Sequence, residues 1–281
     1  MIRQLLSVSH HDFSFFETRK AFDIYEDVST IYNTTADSNY NFKKLTSKKP
    51  VGLHRIYYIP HYFKLKVNKQ SAFDKIELPE IDKGLLINLS GYASVTKYLE
   101  FKFSSKKRKK FNLAFKKLES SHNISYKTFY GEIDRGVYDL LMDRLLFLIQ
   151  SRFDQKDAIH VALSNWNFYK ESVFEMVLEK NASIFVIYDE DEPINICISY
   201  HFQNVTFSSI KSYDINYSKF SLGSLDIIKR LDWGLVNGFN IFDFYRGILP
   251  HKLEWANEIY KFKHHIFYKK IPLQIMFWPI Y

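Results

Sequence analysis

Ile184-Phe-Val-Ile-Tyr-Asp-Glu-Asp-Glu-Pro-Ile-Asn-Ile-Cys-Ile-Ser-Tyr-His-Phe-Gln-Asn-Val-Thr-Phe-Ser-Ser-Ile-Lys-Ser-Tyr213 is the stretch that decides the fold. It holds three apolar runs, 184–188, 194–202 and 205–213, in which the side-chain period is two. Asp189-Glu-Asp-Glu-Pro and Gln203-Asn204 break the runs as turn residues do, so the stretch predicts an antiparallel three-strand meander. On either side of it the period changes to that of a helix. Upstream, residues 133–153 carry Val137, Leu141, Met142, Leu145, Leu148 and Ile149 as a broad apolar face. Residues 167–180 carry Val173, Phe174, Val177 and Leu178, with Asn167 as N-cap and Asn181 as left-handed stop. Downstream, 221–237 places Leu222, Leu225, Ile228, Leu231 and Leu235 on one side and ends at Gly238. A strand at 239–244, a short helix at 250–257 and strands at 260–269 and 273–278 complete the pattern. From residue 133 the predicted order is α-α-β-β-β-α-β-α-β.

Further upstream, Phe111, Ala114, Phe115 and Leu118 recur at helical spacing within 104–119, with Ser104 or Ser105 as cap and lysines on the other face. Such a charge run reads as a solvated face or as a contact for nucleic acid or an acidic membrane. Between 52 and 89, the runs 56–59, 63–67 and 85–89 predict short strands. In the first fifty residues Phe13, Phe15, Phe16 and Phe22 suit a short helix, and 33–41 is polar and turn-rich.

Composition narrows the class. The chain has 281 residues and is 46% hydrophobic, enough to fill a core, while 9 Gly and 7 Pro exclude a collagen-like or low-complexity chain. The net charge of +8 favours anionic partners. The lone cysteine, Cys197, allows no internal disulfide and falls in an apolar run, where it reads as a small core residue. No stretch approaches a membrane span. The expectation is a soluble, cytoplasmic protein without integral membrane association.

A second stretch carries the resemblance. Asp243-Phe-Tyr-Arg-Gly247, then Lys252 and Trp255, is similar to the "DF.RG…YK..W" signature of cellulose-biosynthesis-type (CelD-like) acetyltransferases, with His251 where that family has Tyr. Tyr98-Leu99 through Lys107-Arg108 and Lys116-Lys117-Leu118-Glu119 resemble the family's "YL…S…R…RR.LE" helix, and Ser221-Leu222-Gly223 its "SPG" turn with Leu replacing Pro. The predicted element order is also that of the GNAT superfamily, to which this branch and the related Fem-type peptidyl transferases belong. The resemblance spans roughly 95 to 265. It implies an α/β (α+β) chain: a GNAT domain over 96–281, with a central mixed, largely antiparallel sheet flanked by helices. Before it, residues 1–95 form a smaller GNAT-like unit, short for that family's usual N-terminal half.

The resemblance also implies a chemistry. An acyl-CoA diphosphate, in the first instance that of acetyl-CoA, is held at a helix N-terminus, here Ser221, Leu222, Gly223 and Ser224. The residues alone are equally those of a Ser-capped helix, and the usual Arg/Gln-x-x-Gly-x-Gly/Ala loop is replaced by Lys219-Phe-Ser-Leu-Gly-Ser. Transfer to an amine or hydroxyl needs a base and a proton donor. Asp214, just past the third meander strand, and Asp243 are the candidate bases, each also plausible as a turn acid or ion-pair partner. His251 and Tyr245 are further candidates for proton transfer. Arg246 and Lys252 suit an anionic acceptor, or ion pairs with Asp243 or Glu254. His10-His11 and His264-His265 are adjacent pairs, a poor chelating geometry, so no metal is expected.

Three functions fit. The first is an acyl-CoA-dependent N- or O-acyltransferase of polysaccharide biosynthesis, acting on a nucleotide sugar, a glycan precursor or a similar anionic acceptor. The second is a Fem-type transferase using aminoacyl-tRNA for peptidoglycan precursors, favoured by the basic segment. The third is a degenerate binding module. Peripheral membrane contact through 105–119 is compatible with each.

Overall fold

A computed structural model of the chain describes residues 8–18, 20–22, 24–32, 43–45, 53–69, 71, 73–154 and 161–269. The predicted turn-rich 33–41 and the strand at 273–278 lie outside these residues. The chain divides into two compact units. One comprises Met1–Leu85, Arg246–Leu249 and Ile259–Tyr281; the other comprises Leu86–Tyr245 and Pro250–Glu258.

The first unit holds strands β1 (Val8–Asp12), β2 (Lys20–Phe22), β3 (Tyr25–Thr30), β4 (Lys43–Leu45), β5 (Leu53–Pro60) and β6 (Phe63–Val67) and the short helix α1 (Phe15–Thr18). It also takes most of β7 (Phe73–Asn88) and of β13 (Glu258–Lys269). β1 runs parallel to β5, and β13 runs antiparallel to β5 with a bulge between Lys263 and His265. β3 pairs with β6, and β2 with β4. The predicted packing of phenylalanines is met by Phe13 and Phe15, which lie edge-on against Phe63. Phe22 instead falls in β2.

Inside this unit a buried histidine is kept neutral. Tyr25 donates its hydroxyl proton to His265 Nδ1 at 2.8 Å, and His265 Nε2–H donates to Glu77 at 2.8 Å. Burial, assisted by Lys75, pushes the His265 pKa down to about 4. The unfolded chain, with an ordinary imidazole near 6.5, therefore binds more protons between those two values. Stability is complete above about pH 6.5 and falls as the pH drops towards 4, by up to about 3 kcal/mol from this group. Urea titrations at successive pH values will show that contribution superimposed on the opposite one of Glu17, whose carboxyl burial raises to about 7. A His265→Asn variant will lose it; an unchanged slope in that variant excludes His265 as its source.

The second unit opens with helices α2 (Val95–Lys102) and α3 (Ser105–Ser121) and strand β8 (Ile124–Phe129). Helix α4 (Arg135–Asp154), a 3₁₀ turn (Val161–Asn165) and helix α5 (Trp166–Leu178) follow. Next come β9 (Ala182–Asp189), β10 (Glu192–Phe202), β11 (Val205–Tyr213) and a second 3₁₀ turn (Ile215–Phe220). Helix α6 (Leu222–Val236), β12 (Ile241–Arg246) and helix α7 (Pro250–Trp255) close the unit. The predicted order from 133 is present. Strand β8 is an addition, antiparallel to β9, and the stretch from Tyr98 to Glu119 that resembles one helix is two, α2 and α3. The strand order here is β12-β11-β10-β9-β8, antiparallel except for β11 and β12.

Several local expectations shift by a residue or a turn. Ser104 caps α3, accepting from the Lys107 amide. Asn167 lies inside α5, whose N-cap position is Asn165. The left-handed residue ending that helix region is Lys180 rather than Asn181. Val137 is solvent-facing; its neighbour Tyr138 takes the core position and donates its hydroxyl to the Lys170 carbonyl at 2.7 Å. Gly238 has the expected positive φ. Cys197 is fully buried, and burial pushes its thiol up to about 11, as suits a core residue.

Candidate active site

The site is built where β11 and β12 part. Their parallel pairing runs through Val205↔Ile241, Thr206↔Phe242 and Phe207↔Asp243 and stops. Residues 208–213 of β11 and 244–246 of β12 continue without each other. On its other edge β11 stays paired to β10, but the register slips between Ile198 and Ser199, leaving Ser209 as an extra residue. A bulge of this kind bends a strand and re-aims the side chains beyond it. Lys211 lies in the stretch past the bulge.

The β11–α6 connection lies at the same end. Asp214 accepts from the Asn216 amide at 2.9 Å and starts the second 3₁₀ turn. The chain then reverses at Ser221, which has φ 57° and ψ 39° between the 3₁₀ turn and α6. A non-glycine residue there costs about 1–2 kcal/mol, a strain that a functional corner often carries. The Ser224 and Leu225 amides bond back to the Ser221 carbonyl at 2.9 and 3.2 Å. The Leu222 and Gly223 amides, first in the helix, have no carbonyl one turn earlier to meet. A Cβ on Gly223 would find nothing closer than Tyr213 Cε1 at 4.0 Å, so the space before this turn is open. The Leu222 side chain points inward and packs with Phe185, Ile187, Ile194, Phe220 and Leu225. Of Leu222, therefore, only the backbone can meet a ligand.

Beneath α6 lies a buried charge cluster. Arg230 binds Asp226 through Nε–Oδ1 at 3.1 Å and Nη2–Oδ2 at 2.5 Å. Asn195 Nδ2 donates to the same carboxylate at 3.2 Å, and Arg230 Nη1 reaches Ser199 and Ser208 at 3.3 and 3.1 Å. The Arg230 guanidinium also lies 4.7 Å from the centre of the Phe242 ring. Asp226 is 0% exposed and Arg230 4%. Burial alone would raise the Asp226 carboxyl; Arg230, Lys211 and Asn195 overcome it and hold the group below the usual carboxylate range. Lys211, 29% exposed, approaches Asp226 to 3.7 Å, and its ammonium makes no hydrogen bond among the described residues. Burial draws its pKa down, against the pull of Asp226.

The residues singled out in the sequence fall into three places. Ser221, Leu222, Gly223 and Ser224 form the helix start just described. Asp214 is tied to that start and to Arg144 Nη2 at 3.2 Å, and Arg144 also bonds Glu192 and the Pro193 carbonyl. The Asp243–Trp255 signature is a tightly held corner. Asp243 is wholly buried and accepts from the Tyr245 amide at 2.6 Å, fixing Tyr245 at φ 58°. Lys252 donates to the Phe244 carbonyl at 2.9 Å; burial lowers its pKa while Asp243 raises it. Trp255 packs edge-on against Phe103 and stacks on Phe111, and its carbonyl accepts from Tyr98. Glu254 pairs with Lys107 rather than with Lys252. His251 is solvent-facing on α7. Arg246 belongs to the first unit, where it lies over the Tyr58 ring at 4.0 Å and beside Asp82 at 3.5 Å. Sequence reasoning missed Lys211, Asp226 and Arg230. The one available signal, Asp and Arg four apart on a helix, reads as a surface pair.

A meander whose last strand separates from the next beside a helix start is the arrangement of the GNAT fold. The sequence profile of the family described as acetyltransferase (GNAT) domain matches residues 105–253, more than half of the chain, and the chain belongs to that family. GNAT domains use acyl-CoA donors. No curated protein matches the chain in sequence. Among solved structures FemX is similar over 81% of this chain and 74% of its own, at 8% identity and a TM-score of 0.53. A conserved protein of unknown function from Bacteroides thetaiotaomicron is similar over 78% of this chain and 70% of its own, with 8% identity and a TM-score of 0.48. For L-PGS from Bacillus licheniformis the figures are 77%, 68%, 12% and 0.46. The likeness to FemX is one of fold.

Proposed function

We propose that the chain is an N- or O-acyltransferase of the cellulose-biosynthesis type that takes an acetyl group from acetyl-CoA to an anionic acceptor, a nucleotide sugar or glycan precursor. The observation that carries this reading is the parting of β11 and β12 after Phe207 and Asp243. It leaves one edge of 208–213 open to an extended ligand, at the end where α6 begins. The Leu222 and Gly223 amides and the Ser221 and Ser224 hydroxyls suit the diphosphate. When bound, the thioester supplies an activated acyl carbon. Lys211, with unspent N–H donors, suits the oxygen on which charge develops. Asp214 and Asp243 hold structural contacts; Tyr245 and His251, which have contacts of their own, remain the candidates to pass the acceptor's proton to the departing CoA thiolate as the new N–C or O–C bond replaces the C–S bond.

Thermal shift tests this directly. Acetyl-CoA at about a hundred times its Kd stabilises by about 2.7 kcal/mol, which raises Tm by roughly 5–11 °C for a domain of this size. Gly223→Trp, filling the open space before α6, will abolish the shift while leaving the circular dichroism spectrum unchanged. No shift with acetyl-CoA or any other acyl-CoA rejects the reading. Retention of charged tRNA in a gel, lost at high salt, would then favour the Fem-type alternative.

A further inference from the structure

We propose that helix α3 docks the protein on an anionic lipid bilayer through its solvent stripe. Lys106, Lys109, Lys110, Lys116 and Lys117 are exposed along it, at helical spacing over about 16 Å. No acidic residue interrupts the sequence from Ser105 to Leu118. Among the described residues none of these five ammonium groups makes an ion pair. Two basic residues of α3 turn inward and are half-buried: Arg108, and Lys107, which pairs with Glu254 and lies 5.7 and 5.6 Å from the Phe103 and Phe111 ring centres. Phe111 and Leu118 bury the opposite face, so the lysines are not needed to hold the helix in place.

Two further observations point to a ligand. First, the charges oppose the helix dipole: the first turn has no acid, the last turn no base, and Lys106, Lys107 and Arg108 crowd the positive end. That placement costs local stability, and a local rule broken without structural gain marks a selected surface. Second, Leu113 stands 59% exposed in the middle of the stripe. An apolar side chain ringed by lysines suits the boundary of headgroups and acyl chains, where each basic residue adds attraction and the leucine inserts. The stripe is lysine alone, without the arginine forks and aromatic platforms that favour nucleic acid. Charge complementarity and the central leucine together favour the bilayer over RNA.

Sedimentation with vesicles decides it. The intact chain will bind phosphatidylcholine vesicles containing about a third phosphatidylglycerol and not pure phosphatidylcholine, with affinity falling as salt rises. Each lysine neutralised, as in Lys109→Gln or Lys116→Gln, will weaken binding about fivefold. Leu113→Ser, at constant charge, will weaken it about tenfold or more. Lys106→Glu will weaken binding while Tm holds or rises, because an acid at that turn suits the dipole. Equal binding to neutral and anionic vesicles overturns the proposal. So does a Leu113→Ser variant that binds like wild type, or tighter retention of an RNA oligonucleotide that anionic vesicles fail to displace.

Discussion

Asp226→Ala will unfold the second unit more readily than any substitution at its surface, by about 3–5 kcal/mol. At this domain size that is a fall in Tm of roughly 6–20 °C. The deleted carboxylate leaves Arg230 with its charge buried at 4% exposure and only the Ser199 and Ser208 hydroxyls and the Phe242 ring beside it. Those groups cannot replace a bidentate carboxylate. The loss is the cost of an orphaned charge and not the net worth of the pair. A double variant, Asp226→Leu with Arg230→Met, should therefore recover most of the stability, since an apolar pair of similar volume needs no counter-charge. Urea denaturation of the two single variants and the double gives the coupling. A double variant as unstable as either single would show that the ion pair itself holds α6 to the sheet. A single variant within 1 kcal/mol of wild type would mean that water reaches Arg230.

The same pair shows what the sequence can and cannot disclose. The meander was readable because period-two apolar runs broken by turn residues permit few other structures, and helix α4 because its stripe is long. Strand β8, Ile124–Phe129, was missed: it alternates between half-buried and exposed up to the buried Phe129, and Ser125, Lys127 and Thr128 interrupt its apolar residues, so no run stands out. Helix α6 was found, but its leucine stripe placed the buried face slightly wrong. Ile228 and Leu235 are only half-buried, while Asp226 and Arg230 are inside. Nothing local separates a buried Asp–Arg pair from an exposed one; the difference lies in Asn195, Ser199 and Ser208, contributed by strands elsewhere in the chain. The Asp243–Trp255 signature was legible as a motif, yet much of it serves shape: a left-handed Tyr245, a lysine on the Phe244 carbonyl, a tryptophan in an aromatic core. The parting of β11 and β12 depends on where pairing stops, and no single residue announces it.

Lys211→Met will lower kcat for thiol release from acetyl-CoA by about 10²–10³-fold, the usual cost of removing one preorganised donor to a developing oxyanion. Lys211 earns this prediction by position and chemistry. It follows the Ser209 bulge on the unpaired edge of β11, its carbon stem is held by burial, and its N–H groups are unspent. Asp226 at 3.7 Å favours the ammonium form, while burial, Arg230 and Arg152 oppose it. The pKa in the folded chain is therefore below the usual 10.5, and the alkaline limb of the rate profile should descend at a lower pH than an exposed lysine would give. The direction is diagnostic: a lysine acting as cation loses activity as the pH rises through its pKa, and one acting as base gains it. Lys211→Arg should keep part of the rate and lose the alkaline limb, because a guanidinium does not deprotonate in that range. The acetyl-CoA thermal shift should survive in Lys211→Met, since the diphosphate is assigned to the α6 start and not to this side chain. A loss of shift together with rate would make Lys211 a binding residue. A rate within threefold of wild type would remove it from the chemistry, leaving the parting of the strands as the feature on which the acyltransferase site rests.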